Sequence, residues 1–98
     1  MVIKTTSKNF EEVISSNSVV IVDFYANWCG PCKLIAPHLE DVSKEKGITI
    51  AKIDCDEEMA LANKFSIVSI PTLIIFKNGQ EVNKVIGYRT KDELLTLI

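Results

Sequence analysis

A chain of 98 residues has the length for one domain, residues 1–98, because a second would need a core of its own. Hydrophobic residues make up 47% and charged residues 24%, which suits a packed globule and excludes a disordered tract. Eleven basic against thirteen acidic residues leave a formal charge of -2, so no basic field draws nucleic acid; apolar runs such as Val19–Val22 are far too short to enter a membrane as a span.

The chain opens on Met1–Lys8, which lacks the apolar stretch and small-residue cleavage site of a signal peptide, so a cytoplasmic protein is expected. Val2-Ile3-Lys4 suits a short strand. Thr6 or Ser7 is placed to cap a helix over roughly Lys8–Ser15, with Phe10, Val13 and Ile14 on one face. Val19–Tyr25 is apolar almost throughout, the pattern of a central strand covered on both faces. After Asn27-Trp28-Cys29-Gly30-Pro31, the residues Leu34, Ile35, Leu39 and Val42 recur at helical spacing and stop near Gly47. Pro37 removes one backbone hydrogen bond inside that helix and predicts a kink.

Ile48–Asp54 reads as the next strand, with Ile48, Ile50, Ala51 and Ile53 buried, and Glu57–Lys64 as a short helix whose apolar part is Met59, Leu61 and Ala62. Thr72–Phe76 and Glu81–Ile86 flank Asn78-Gly79, a pair that accepts positive φ twice and so predicts a hairpin. Thr90 caps a last helix holding Leu94, Leu95 and Ile98. The order is β-α-β-α-β-α-β-β-α. It predicts an α/β fold with a mixed five-stranded central sheet flanked by four helices; strands alternating with helices are read as parallel, and the hairpin as an antiparallel edge.

Three cysteines are too few, and odd in number, for a secreted disulfide scaffold. Cys29-Gly30-Pro31-Cys32 follows a buried strand and opens a helix. Residues three apart on a helical turn sit about 5–6 Å apart at Cβ, close to disulfide range. The free N–H groups and positive dipole end of the helix stabilise a thiolate on Cys29, and the thiolate is the nucleophile. Pro31 suits the first turn, where a missing N–H costs nothing, and Gly30 and Pro31 leave no bulky charged group over Cys29. Cys32, one turn deeper and expected to be less exposed, is placed to attack a bond that Cys29 has formed. The competing reading is half of a zinc site, which needs four ligands. Only Cys55 and His38 remain as candidates, and His38 lies six residues past Cys32, roughly 240° around the helix. The acidic run Asp54, Asp56, Glu57, Glu58 reads as a solvated loop and helix start and lacks the glycine of a calcium loop. Cys55 reads as a small buried hydrophobe at a strand end, and His38 and Lys33 as surface residues.

Asp23 follows four consecutive apolar residues in the central strand. Ionisation there is costly, so its pKa should rise towards neutrality and allow it to accept a proton from Cys32.

With Trp28-Cys29-Gly30-Pro31-Cys32-Lys33, Asp23-Phe24-Tyr25-Ala26, Ala36-Pro37, Ile70-Pro71-Thr72 and Lys77-Asn78-Gly79 in order and spacing, nearly the whole chain resembles the thioredoxin family. The resemblance implies the thioredoxin fold and protein-disulfide reduction through Cys29 as attacking thiolate and Cys32 as resolving thiol. It implies a cis Ile70–Pro71 bond facing the cysteines, an Ile70 backbone that pairs with substrate, and a docking surface of Trp28, Ile70, Pro71 and Gly87 around the approach left open by Gly30 and Pro31. Asp23 and Lys52 match the family's buried carboxylate and the lysine near it. No bound cofactor is implied beyond the Cys29–Cys32 disulfide. The implied partners are disulfide-containing target proteins and a thioredoxin reductase supplied by NADPH, with the chain itself a monomer. Departures are Asn27 before Trp28 and Tyr25 in place of a second tryptophan; neither removes a group the chemistry needs. Pro31, where oxidising relatives often carry His, argues for a reductant.

Overall fold

A computed structural model describes residues 1–98. The chain runs β1 (Val2–Lys4), α1 (Phe10–Ser15), β2 (Val19–Tyr25), α2 (Gly30–Lys46), β3 (Thr49–Asp54), α3 (Met59–Lys64), β4 (Thr72–Lys77), β5 (Gln80–Ile86) and α4 (Lys91–Leu95). The five strands form one sheet in the order β1-β3-β2-β4-β5, so β2 lies at its centre.

Side chains alternate across a strand, and β2 uses both faces. Val20, Val22 and Phe24 pack with Phe10, Val13 and Ile14 of α1 and Leu61 of α3. Ile21 packs on the opposite face with Ile35, Leu39 and Val42 of α2 and Leu94 of α4. The apolar run is continuous because two layers of helix cover it. Asp23 and Tyr25 share the parity of Ile21 and therefore rise from the α2 face.

The alternation of strands and helices reads β4 as parallel to the strands before it, and the structure corrects this. β2 and β3 are parallel, but β4 is antiparallel to β2, with Phe24 opposite Thr72 and Val19 opposite Lys77. The connection through α3 delivers the chain to the end of the sheet where β2 and β3 finish, where Phe24 lies between Ile53 of β3 and Thr72 of β4. β4 therefore starts at the end where β3 stopped and runs the other way.

The hairpin forms as its turn demands, with φ of 52° at Asn78 and 80° at Gly79. β5 is an exposed edge. A register shift opposite Ile75 and Phe76 leaves Val82 without a partner in the ladder, between Glu81 and Asn83.

Other boundaries and faces moved by small amounts, each for a local reason. α1 begins at Phe10 rather than near Lys8, and neither Thr6 nor Ser7 caps it. The Asn9 side chain accepts from the Thr6 N–H at 2.7 Å and Thr6 Oγ1 accepts from the Lys8 N–H at 3.2 Å, which holds residues 6–9 in a turn ahead of the helix. Leu34 is 64% exposed because it sits about 100° round the helix from the buried Ile35. Met59 is likewise exposed at the start of α3, and Ile48 is only half-buried ahead of β3. α2 runs unbroken through Pro37, an exposed position where water can satisfy the carbonyl left without a donor. It ends at Gly47 with φ of 65°, the left-handed conformation glycine accepts without strain.

α4 is short and depends on its cap. Thr90 Oγ1 accepts from the Glu93 N–H at 3.3 Å, and Glu93 Oε1 accepts from the Thr90 N–H at 3.0 Å. Thr90→Ala is expected to lower the unfolding free energy by about 1 kcal/mol, read from urea denaturation. An unchanged midpoint would show that α4 is held by Leu94 alone.

Candidate active site

The site is built where β2 ends and α2 begins. Cys29 is the N-cap residue of α2, with extended backbone at φ -91° and ψ 112°, and its sulfur accepts from the Cys32 N–H at 3.2 Å. Pro31 stands in the first turn, where no N–H is needed. Cys29 and Cys32 are joined as a disulfide, with Cα atoms 5.3 Å apart. The sulfur that would become a thiolate on reduction thus faces a helix N-terminus and a backbone donor, both of which favour negative charge.

The expected difference in depth between the two cysteines is slight. Cys29 is 5% exposed and Cys32 3%, since Ala26, Tyr25 and Ile70 pack around both. What opens the approach is the ridge beside them. Gly30 and Pro31 are exposed, and a side chain built on Gly30 would meet no atom within 4 Å. Trp28 is 72% exposed, with its indole N–H donating to Asp56 Oδ2 at 2.9 Å, so a large apolar face is held at the surface by one polar tether.

The loop before β4 supplies the opposite wall. The Ile70–Pro71 bond is cis, as the family resemblance implied. The Ile70 carbonyl oxygen lies 3.9 Å from Cys29 Sγ. The Pro71 carbonyl accepts from the Gly87 N–H at 2.8 Å, and Gly87 has φ of 94°, a value that favours glycine. Trp28, Gly30, Pro31, Ile70, Pro71 and Gly87 therefore reach the same end of the sheet as Cys29.

Asp23 is fully buried, and neither carboxylate oxygen has a hydrogen-bond partner. Burial pushes its pKa up to about 7, against a smaller pull downward from the Lys52 ammonium. Lys52 is the register partner of Asp23 across β2 and β3, yet it forms no ion pair with it; its Nζ sits 4.4 Å over the Tyr25 ring. Tyr25 and Lys52, with Ala26, Asn27, Cys32, Lys33 and Ala36, line a cleft of about 100 Å³. Asp23 is fully enclosed and is not among its lining residues.

Two acidic and thiol groups nearby differ from their sequence reading. Asp54 is buried rather than solvated, accepting from the Asp56 N–H at 2.9 Å and the Glu57 N–H at 3.4 Å to close the turn after β3. Nothing in the acidic run distinguished it from its exposed neighbours except its place at the strand end. Cys55 is free and half-buried; desolvation first, then Asp54, Asp56 and Asp23, push its thiol up to about 11, which disfavours its thiolate. No group of three or more His, Cys, Asp or Glu side chains is arranged to hold a metal ion, and no helix is long and apolar enough to cross a membrane.

The family model described as Thioredoxin matches residues 1–98. A thioredoxin from Mycobacterium tuberculosis is 49% identical over 96 residues, covering 95% of this chain and 83% of the relative. A bifunctional thioredoxin reductase/thioredoxin from Mycobacterium leprae is 46% identical over 93 residues, covering 93% of this chain and 20% of that longer protein. Among solved structures, a mutant thioredoxin from Halobacterium salinarum superposes with a TM-score of 0.92 at 38% identity, covering 100% of this chain and 86% of that one. The match spans every residue and includes the cysteine pair at the mouth of α2, and on that ground the chain belongs to the thioredoxin family, whose members exchange thiols and disulfides on other proteins.

Proposed function

We propose that the chain is a reductant of protein disulfides, one domain acting as a monomer in the cytoplasm, with Cys29 as attacking thiolate and Cys32 as resolving thiol. In the first step the Cys29 thiolate attacks one sulfur of a target disulfide. The target S–S bond breaks, one target thiolate leaves, and Cys29 is joined to the other target sulfur. Cys32 then loses its proton to Asp23 and attacks Cys29, which expels the second target thiolate and forms the Cys29–Cys32 bond. Two electrons pass from the dithiol to the target, and the leaving thiolates are protonated from Asp23 and solvent. Burial makes Asp23 basic enough to take the proton, and Lys52 limits that rise so that the group still titrates near neutral pH.

The observation that carries this reading is that Cys29 occupies the N-cap of a 17-residue helix with its sulfur on the Cys32 N–H. Trp28, Gly30, Pro31, Ile70, Pro71 and Gly87 form the docking surface, and the Ile70 backbone pairs with the substrate backbone. Re-reduction by a thioredoxin reductase supplied by NADPH is supported by the Mycobacterium leprae relative, whose name joins the two functions in one chain. The test is insulin reduction, followed by precipitation of the freed chains, with dithiothreitol or with reductase and NADPH. Acceleration well above dithiothreitol alone is expected; a rate equal to that background overturns the reading.

A further inference from the structure

The loop that carries Gly87 runs between the start of β4 and α2, ahead of α4, whose Lys91 pairs with Glu45 of α2 at 3.4 Å. Gly87 and Tyr88 lie in the loop from β5 to α4. On one side the loop is tied to the start of β4, through the Gly87 N–H and the Pro71 carbonyl. On the other, Tyr88 Oη meets His38 Nε2 at 2.8 Å, with the two rings edge to face and their centroids 5.7 Å apart. Arg89 turns inward, its Nη1 donating to the carbonyls of Ile86 and Tyr88, which stiffens the loop without anchoring it elsewhere. The His38–Tyr88 contact is the only hydrogen bond from residues 87–90 to α2. His38 is six residues beyond Cys32 on that same helix, roughly 9 Å along its axis. The pair therefore links the strip carrying Gly87 to the rigid element that presents both cysteines. A tyrosine hydroxyl donates or accepts, so the bond survives either tautomer of the ring.

We propose that His38 and Tyr88 are a positioning pair that fixes the docking strip at Gly87 relative to Cys29, and so sets how tightly a protein disulfide binds; this rests on the docking role given to Gly87 above. Neither residue touches the reacting sulfurs. The loss of either should weaken capture of a protein substrate and spare the exchange step itself. Reduced protein is mixed with excess insulin, samples are acid-quenched and alkylated, and formation of the Cys29–Cys32 bond is followed against insulin concentration. Tyr88→Phe and His38→Leu are each expected to raise the half-saturating insulin concentration about three- to tenfold, the size of one lost hydrogen bond, with the saturated rate held within about twofold. The double variant should be no worse than the more affected single one, because both remove the same bond. Unchanged half-saturation, a fall confined to the saturated rate, or independent losses that multiply would each overturn the pair. A parent protein that fails to reduce insulin overturns the docking reading and the pair with it, whereas an active parent with unaltered variants overturns the pair alone.

Discussion

Cys29→Ser is expected to bring insulin reduction down to the rate of dithiothreitol alone, a loss on the order of 10³-fold or more, as when an enzyme loses its covalent nucleophile. The sulfur at this position has the helix N-terminus and the Cys32 N–H to stabilise its charge. Serine keeps the N-cap, since its oxygen accepts the same N–H, so the fold should be undisturbed. It lacks an ionisable thiol, so nothing attacks the target. Cys32→Ser provides the complementary result. Its first step is intact and its second is not, so a mixed disulfide with insulin should accumulate and run as a slower band on a non-reducing gel. The remaining thiol, Cys55, is half-buried outside the cluster of Cys29 and Cys32, and its neighbouring carboxylates disfavour its thiolate, so it is not expected to substitute for either. Residual turnover by Cys29→Ser would show that the attacking thiol has been assigned to the wrong residue.

Asp23→Asn is expected to stabilise the disulfide form, by an amount that grows with pH. The folded-state pKa is raised from 3.8 to about 7 by burial. A group raised in this way leaves stability at its fullest below the unfolded value and takes it away as pH climbs to the folded one. At about 1.36 kcal/mol for each pH unit between the two values, the parent loses about 4 kcal/mol from Asp23 by the time it is ionised in both states. The neutral amide avoids that loss. Urea unfolding at pH 4, 6 and 8 should show the variant near the parent in acid and ahead of it by a few kcal/mol at pH 8. A gap that stays constant across this range would mean that Asp23 does not titrate where its burial puts it. The same substitution should slow release of the mixed disulfide, so stability and turnover would move in opposite directions, as expected of a charge kept in an apolar place for chemistry.

What could be read from the sequence was what local chemistry decides. Asn78-Gly79 specifies its turn through two positive φ values, Thr90 specifies a cap, and Cys29-Gly30-Pro31-Cys32 specifies a helix start. β2 was legible end to end because seven nearly unbroken apolar residues have few alternatives. Asp23 stood out because a carboxylate in that run needs a reason. The misreadings lie where distant segments decide. The direction of β4 depends on which end of the sheet the connection through α3 reaches, which no residue in β4 encodes. Leu34 and Met59 fit a helical apolar pattern but lie at its rim, where the sheet no longer covers them. Asp54 looked like its acidic neighbours until the fold closed a turn on it. The contact between His38 and Tyr88, fifty residues apart, has no local signature at all.

The edges of the sheet have a consequence for life at high concentration. An unpaired strand invites a neighbouring molecule to extend the ladder, which is how well-folded proteins begin to aggregate. At one margin β1 offers only three residues. At the other, the kink at Val82 interrupts the row of free donors and acceptors, while Glu81 and Lys84 set charge on either side of it. A foreign strand would find a broken template at one border and almost none at the other, so the fold discourages self-association without covering its flanks.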